Sequence, residues 1–459
     1  METYSKNERT TFMREQLKQE IQNRVTIIDT SALTFTDVRE YEHLAEGNVW
    51  NKAIQAALDE KKNVFIPNLG QPIFLAESIF MDSNCNLKIA PDQEIRLCPN
   101  TNTCMIRNRN IRSGNAFYVE QIEPDENITL SGGIWCSEGN LALRVDKFAT
   151  SNGGFAHILF SNVKGLNVTD ITILEGSKSY AVQITNAYDF YVDRITFLDH
   201  KKDGVHIDGP AKYGIIRNLK GSNLGDDMVA LLAWDWTNSG VTHGDIEYIL
   251  VEHVEGDDNE IRLLSGRKEY PNKKTHDCAV RNCVIEDVSG IYTYKMYYQP
   301  NCANVAKGKD FDSALNVGEM SNIYFKDISF PCLRESGFND IPVYGLFDIL
   351  ADCENLHFEN ISVSQSWEDL EQKNIRVINA GPISAPYKVT EDPKEWGELF
   401  DPDAVCTVKD IHLKNVTFCG QVETEPEKLF KETKQTPNLE FPKLGGNGYG
   451  IIEEIEVEL

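Results

Sequence analysis

Three aspartates, Asp203, Asp226 and Asp227, carry the chemistry this sequence points to most directly. Residues 225–236 read GDDMVALLAWDW, two adjacent acids ahead of an apolar run, and residues 201–210 upstream read KKDGVHIDGP. Asp226 follows Asp203 by 23 residues. In a chain that coils with that period, consecutive turns stack such positions about one strand spacing apart, roughly 5 Å. Within VHID, alternation sends Val205 and Ile207 inward and adds His206 and Asp208 to the acidic face. Asp226 and Asp227 cannot both leave a regular strand on one side, so the Gly225 corner is expected to turn both carboxylates into one groove. Crowding like charges raises the pKa of at least one carboxyl group. A protonated carboxyl beside an ionised one is what acid–base cleavage of a glycosidic bond requires. Taken singly, Asp-Gly and Gly-Asp-Asp are solvated turns. Three acids one repeat apart, beside His206 and two tryptophans, favour a site.

Trp234 and Trp236 lie two residues apart and so share a face, where they either offer planes to sugar rings or pack a loop over the coil. The acids also make a candidate calcium site, as in β-helical lyases. Elimination would need a strong base beside the metal, and the sequence offers no clear one. No metal and no cofactor is therefore expected.

The elements that position these residues are repetitive. HILFSNVKGLNVTDITILEG, YAVQITNAYDFYVDRITFLDH, IEYILVEHVEGDDNEIRLLSG and CAVRNCVIEDVSGIYTYKMYY are β-rich runs of strict alternation broken by Gly, Asn or Asp, with a period in the low twenties. Recurrence at that length predicts a solenoid in which each coil covers the apolar face of the last. The expected fold is all-β, a single-stranded right-handed parallel β-helix. Asn127, Asn167, Asn360 and Asn415 match a glycosylation pattern, but the same phrase recurs without asparagine at Asp170, Arg194 and Asp327, so they read as phase marks of the repeat. Residues 8–24 predict an amphipathic helix, and 49–67 a helix, turn and strand leading into the first coil; a solenoid end needs such cover. The organisation expected is an N-terminal helical cap over 1–60, the β-helix over 61–420 with an inserted loop at 385–403, and a C-terminal tail or cap over 421–459.

With 71 acids against 45 bases, the chain carries a formal charge of -26, which repels nucleic acid and anionic membranes. A neutral or small ligand fits this surface better than a long polyanion. The opening METYSKNERTTFMREQLKQEIQNR has no apolar run, so a cytoplasmic protein is expected, an extracellular one being the alternative. Eleven cysteines without metal spacing read as free thiols. Self-association through the long C-terminal tail is conceivable on this sequence, which does not fix the oligomeric state.

From about Gly132 to Lys295 the chain resembles glycoside hydrolase family 28, the polygalacturonase-like β-helix enzymes, and from near Asn51 the wider pectin-lyase-like superfamily. GGIW (132–135), SKSYAVQI (177–184), KKDG and GDDMVAL fall in that family's order. The resemblance implies an inverting hydrolase with Asp226 as general acid and Asp203 and Asp227 positioning the attacking water, acting on a pectic or related oligosaccharide. Substrate contacts are expected from His206, Asp208, Trp234 and Trp236 by their place on the acidic face, and from Glu260 and Lys295 by their place in the family's order, with Arg262 beside them. The chain departs from the family at Lys201-Lys202, where Asn-Thr is usual, at Glu260, where a histidine is usual, and at Thr293, where an arginine precedes Lys295. The basic pair holds a uronate carboxylate in the family. Arg262, Arg267 and Lys268 either compensate or are surface charge. A short chain trimmed from one end is the substrate this favours. A metal-dependent lyase or epimerase and a non-catalytic carbohydrate-binding solenoid are the competing readings.

Overall fold

The computed structural model of the chain describes residues 6–101, 103–110, 123–137, 156–174, 180–233, 242, 244–269, 275–299, 319–335, 343–381, 405–433 and 449–458. Two compact units are distinguished, one of Gln19–Ala230 and Ile249–Asp257, the other of Met1–Lys18, Leu231–Tyr248 and Asp258–Leu459.

In the first unit, the helix Asn51–Lys61 buries Ala53, Ile54, Ala57 and Leu58 and leads into the strand Asn63–Ile66. That strand pairs in parallel with Asn86–Ile89, which pairs with Asp125–Ser131, which pairs with Ala156–Leu174. Complete coils follow. Ala156–Leu174 lies parallel to Tyr180–Leu198, and Tyr180–Leu198 to Val205–Ser222. Their inward positions stack like on like: Ile158 on Val182 on Val205, and Val168 on Val192 on Ile216. All six side chains are fully buried. β-Branched residues suit this pleated interior, and each coil removes the apolar face of the previous one from water.

The repeat is not of constant length. Val182 pairs with Val205, 23 residues on, whereas Ala187 pairs with Ala211, 24 residues on, because the register shifts between Thr185 and Ala187. The corners are made by residues with left-handed backbone, among them Asn127, Asn162, Asn186, Asn360 and Asn415. Asparagine is among the few residues other than glycine that visit this region readily. Successive corner amides bond to one another: Asn186 donates to Asn162 at 3.0 Å and Asn127 to Asn84 at 3.0 Å. In the other unit Asn355 donates to Asn322 at 3.1 Å, Asn415 to Asn360 at 2.9 Å, and Asn360 to Asp327 at 2.6 Å. Three of the four apparent glycosylation sites are thus corner rungs, and Asn167 is buried within its strand.

The second unit repeats the plan. Val280–Gln299, Glu319–Phe330, Asp352–Val363, Val405–Phe418 and Tyr449–Glu458 pair in parallel in that order. The stretch 421–459 therefore contributes a strand to the stack. Its core is aromatic, with Phe347 stacked on Tyr294 at 4.8 Å and edge-on to Phe358 at 4.6 Å. The helix Lys6–Arg24 meets the flanks of coils: in this unit Arg14 pairs with Glu359 and Lys18 with Glu286, and in the first unit Arg24 lies over the Tyr213 ring.

The ten cysteines among the described residues are free. No helix among the described residues is long and apolar enough to cross a membrane. The segment 385–403 lies outside the described residues.

Candidate active site

The carboxylate cluster sits in the first unit, where the strand Val205–Ser222 is followed by the bend at Asp226 and the strand Asp227–Leu232. The Gly204 amide donates to the Asp227 carbonyl at 2.8 Å, in the same pattern by which Val182 donates to Gly204 at 2.9 Å and pairs with Val205. Asp203 therefore stacks on Asp227, and Lys202 on Asp226. The offset is 24 residues here, one more than the spacing from Asp203 to Asp226. Two glycines permit the approach. A Cβ on Gly225 would stand 2.6 Å from the Lys201 carbonyl oxygen, and one on Gly204 would stand 2.8 Å from that of Met228. The apolar run after the acids, Met228 to Ala233, is fully buried, as a core strand requires.

Asp203, Asp226 and Asp227 each present a carboxylate oxygen within 4.8 Å of the other two. They are 3%, 4% and 0% exposed. Charges crowded at that depth need compensation, and two cations stand beside them. Lys202 forms an ion pair with Asp226 through Oδ2. His206 places Nδ1 2.7 Å from Asp203 Oδ2 and Nε2 3.2 Å from Asp208 Oδ1. A carboxylate oxygen faces each ring nitrogen, an arrangement that favours the imidazolium, in which both nitrogens donate. Tyr180 stacks on that ring at a centroid distance of 3.7 Å, and Gln183 holds the other oxygen of Asp208 at 2.8 Å. Burial alone would lower the His206 pKa, but Tyr180, Asp208 and Asp203 together hold it well above the ordinary histidine value. His206 and Asp208 are fully buried, and His206 braces Asp203.

A pH signature follows from the sign of that shift. The stabilisation from His206 is complete below the unfolded histidine pKa of about 6.5 and is lost as pH rises through the elevated folded value. Urea midpoints of wild type and His206→Asn are expected to differ most in the acidic range and to converge above the folded pKa. A difference that grows with pH would contradict the imidazolium.

A second polar cluster lies in the other unit. Glu260 and Lys295, 1% and 0% exposed, form an ion pair, and the Tyr292 hydroxyl donates to Glu260 Oε1. Arg262 is 3.4 Å from Glu260 Oε2. Lys295 stacks in register on Asp348, and Asp348 on Asn379. Asp348 accepts from Tyr297 at 3.0 Å and from Asn379 at 2.7 Å. Burial pushes its carboxyl up to about 6 against the pull of these donors and Lys295. Thr293 is buried and donates to the Gly345 carbonyl at 2.9 Å. Of the residues expected at the site, then, Asp203, Asp226, Asp227, His206 and Asp208 are brought together in one unit, and Glu260, Arg262 and Lys295 in the other. Trp234 and Trp236 lie outside the described residues, as do the side chains of Arg267 and Lys268. Lys202 and Asp348 were not expected. Asp348 is signalled only by its being the lone charge in the apolar run GLFDIL, and Lys202 by its departure from the family pattern. The three clustered carboxylates are close enough to share a cation, but Lys202 already brings a positive charge to Asp226, and no metal is assigned to them.

No family model matches the chain, and no curated protein matches it in sequence. Among solved structures, a hyperthermoactive exopolygalacturonase from Thermotoga maritima is similar over 97% of this chain and 96% of its own, at 13% identity and a TM-score of 0.54. A family 28 exopolygalacturonase from Yersinia enterocolitica matches over 92% and 78%, at 11% identity and a TM-score of 0.44. The catalytic unit of a family 87 α-1,3-glucanase from Streptomyces thermodiastaticus matches over 79% and 68%, at 14% identity and a TM-score of 0.41. At such identities the first of these likenesses speaks to architecture alone, a fold of parallel β coils stacked in register.

Proposed function

We propose that the protein is a glycoside hydrolase that cleaves a pectic or related oligosaccharide with inversion, acting from the end of short chains. The observation that carries this reading is the set of three buried carboxylates whose oxygens lie within 4.8 Å of one another. Two oxygens at that separation can both reach one water at hydrogen-bond distance. Asp203 and Asp227, stacked on consecutive coils, are assigned to hold and activate that water, and Asp226 at the corner to protonate the leaving oxygen. His206, braced by Asp208 and Gln183, fixes Asp203 in place. The fold is shared with an enzyme named as an exopolygalacturonase, which is consistent with a sugar chain lying across the coils.

Retaining carboxyl pairs stand about 5–5.5 Å apart and inverting pairs about 6.5–9.5 Å; the close cluster supports hydrolysis, inversion rests on the resemblance at KKDG and GDDMVAL, and the anomer first released is the decisive measurement. Proton NMR of turnover on a panel of pectic and neutral α-linked oligosaccharides is expected to show the β-anomer first, at a rate that a chelator leaves unchanged. Early α-anomer would establish retention instead. An unsaturated product sensitive to chelation would establish a lyase, and tight binding without turnover a non-catalytic solenoid.

A further inference from the structure

Lys202 stands where the sequence departs from the family it resembles, and the structure gives it a partner at the centre of the cluster. It stacks on Asp226 because Asp203 stacks on Asp227, and its ammonium pairs with Asp226 Oδ2. The lysine side chain is 16% exposed and the aspartate 1%, so the pair is largely shielded from solvent and the lysine is its more accessible member. The neighbouring Lys201 is engaged elsewhere, with Asp199. Among the described residues, the carboxylates of Asp203 and Asp227 also lie beside Asp226. His206 bears on Asp203 and Asp208.

We propose that Lys202 is a positioning residue for the reaction, an internal counter-ion that keeps Asp226 ionised and fixed at the corner of the empty site. This rests on the hydrolase reading for its functional consequence: Asp226 can hold the proton it donates only once the ammonium has been drawn away, and an entering substrate displaces the more accessible partner. Lys202 thereby sets the alkaline limit of turnover. It also supplies the positive charge that a metal would otherwise bring.

An opposite charge within about 4–6 Å lowers a carboxyl pKa by about 1–3 pH units. The test follows the Asp226 carboxyl by 13C NMR in the full chain without substrate, its signal assigned by its loss in Asp226→Asn. Lys202→Met is expected to raise the titration midpoint by about one pH unit or more, and Lys202→Arg, which keeps the charge, to leave it near wild type. Lys202→Gln serves where the methionine variant does not fold. With a cleaved substrate in hand, the alkaline limb of kcat/KM moves upward in Lys202→Met and not in Lys202→Arg. An unchanged midpoint in the neutral variants overturns the inference, whatever the turnover. A raised midpoint in a protein that cleaves no oligosaccharide upholds the counter-ion and sinks the hydrolase.

Discussion

Asp226→Asn is expected to lower kcat by about 10²–10⁴-fold, the range spanned by a positioned general acid, with oligosaccharide affinity retained. Asparagine keeps the size and shape of the side chain at the corner beside Gly225, so the coil has no reason to move. What it removes is the proton and the charge facing Lys202. Initial rates by a reducing-end assay, with binding measured by calorimetry, separate a chemical loss from a binding loss. Asp203→Asn and Asp227→Asn should each fall by a comparable factor. The double variant should be little worse than either, because the two acids hold one water and act as a unit. A kcat for Asp226→Asn within tenfold of wild type would remove Asp226 from the chemistry.

The second large effect concerns stability. Glu260→Gln is expected to cost up to about 3–5 kcal/mol, since it leaves the fully buried Lys295 ammonium facing a neutral amide, with Asp348 stacked beside it as partial compensation. Tyr292 and Arg262, which also bear on Glu260, lose their charged partner in the same step. Adding Lys295→Met should restore much of the loss, because apolar side chains of similar volume replace buried ion pairs at little cost. Urea denaturation of wild type, both single variants and the double variant closes the cycle. A cost below about 1 kcal/mol, the range of exposed pairs, together with a raised KM for acidic oligosaccharides, would instead show that Glu260 and Lys295 are held for a ligand.

The coil was legible in the sequence because its two constraints act locally. Inward positions alternate within each strand, and the corners call for left-handed backbone, which asparagine marks at Asn127, Asn360 and Asn415. The meeting of Asp203, Asp226 and Asp227 was legible for the same reason, since a repeat length carries residues distant in the chain to one level. Which acid stacks on which was not. One extra residue at the shift between Thr185 and Ala187 changes the offset from 23 to 24, and a period read from sequence averages over such bulges. Side-chain partners were the least legible. The sequence placed His206 on the acidic face and did not show that its two nitrogens face Asp203 and Asp208. Glu260 and Lys295 were read as separate contacts and are each other's counter-ion. Lys202 was legible only as a difference, because pairing between coils depends on register and no local pattern records it.

The corner amides have a practical corollary for producing the protein in a eukaryotic secretory host. An oligosaccharyltransferase would read Asn127, Asn360 and Asn415 as acceptors, yet in the native chain each of those nitrogens donates to the neighbouring turn. A glycan attached during translocation would replace one of the two hydrogens on that nitrogen and set a sugar against the neighbouring turn before it could close. Such material would have to fold around a crowded rung or not fold at all, so replacing the Thr or Ser of each motif, while keeping its asparagine, is the sound way to express it there.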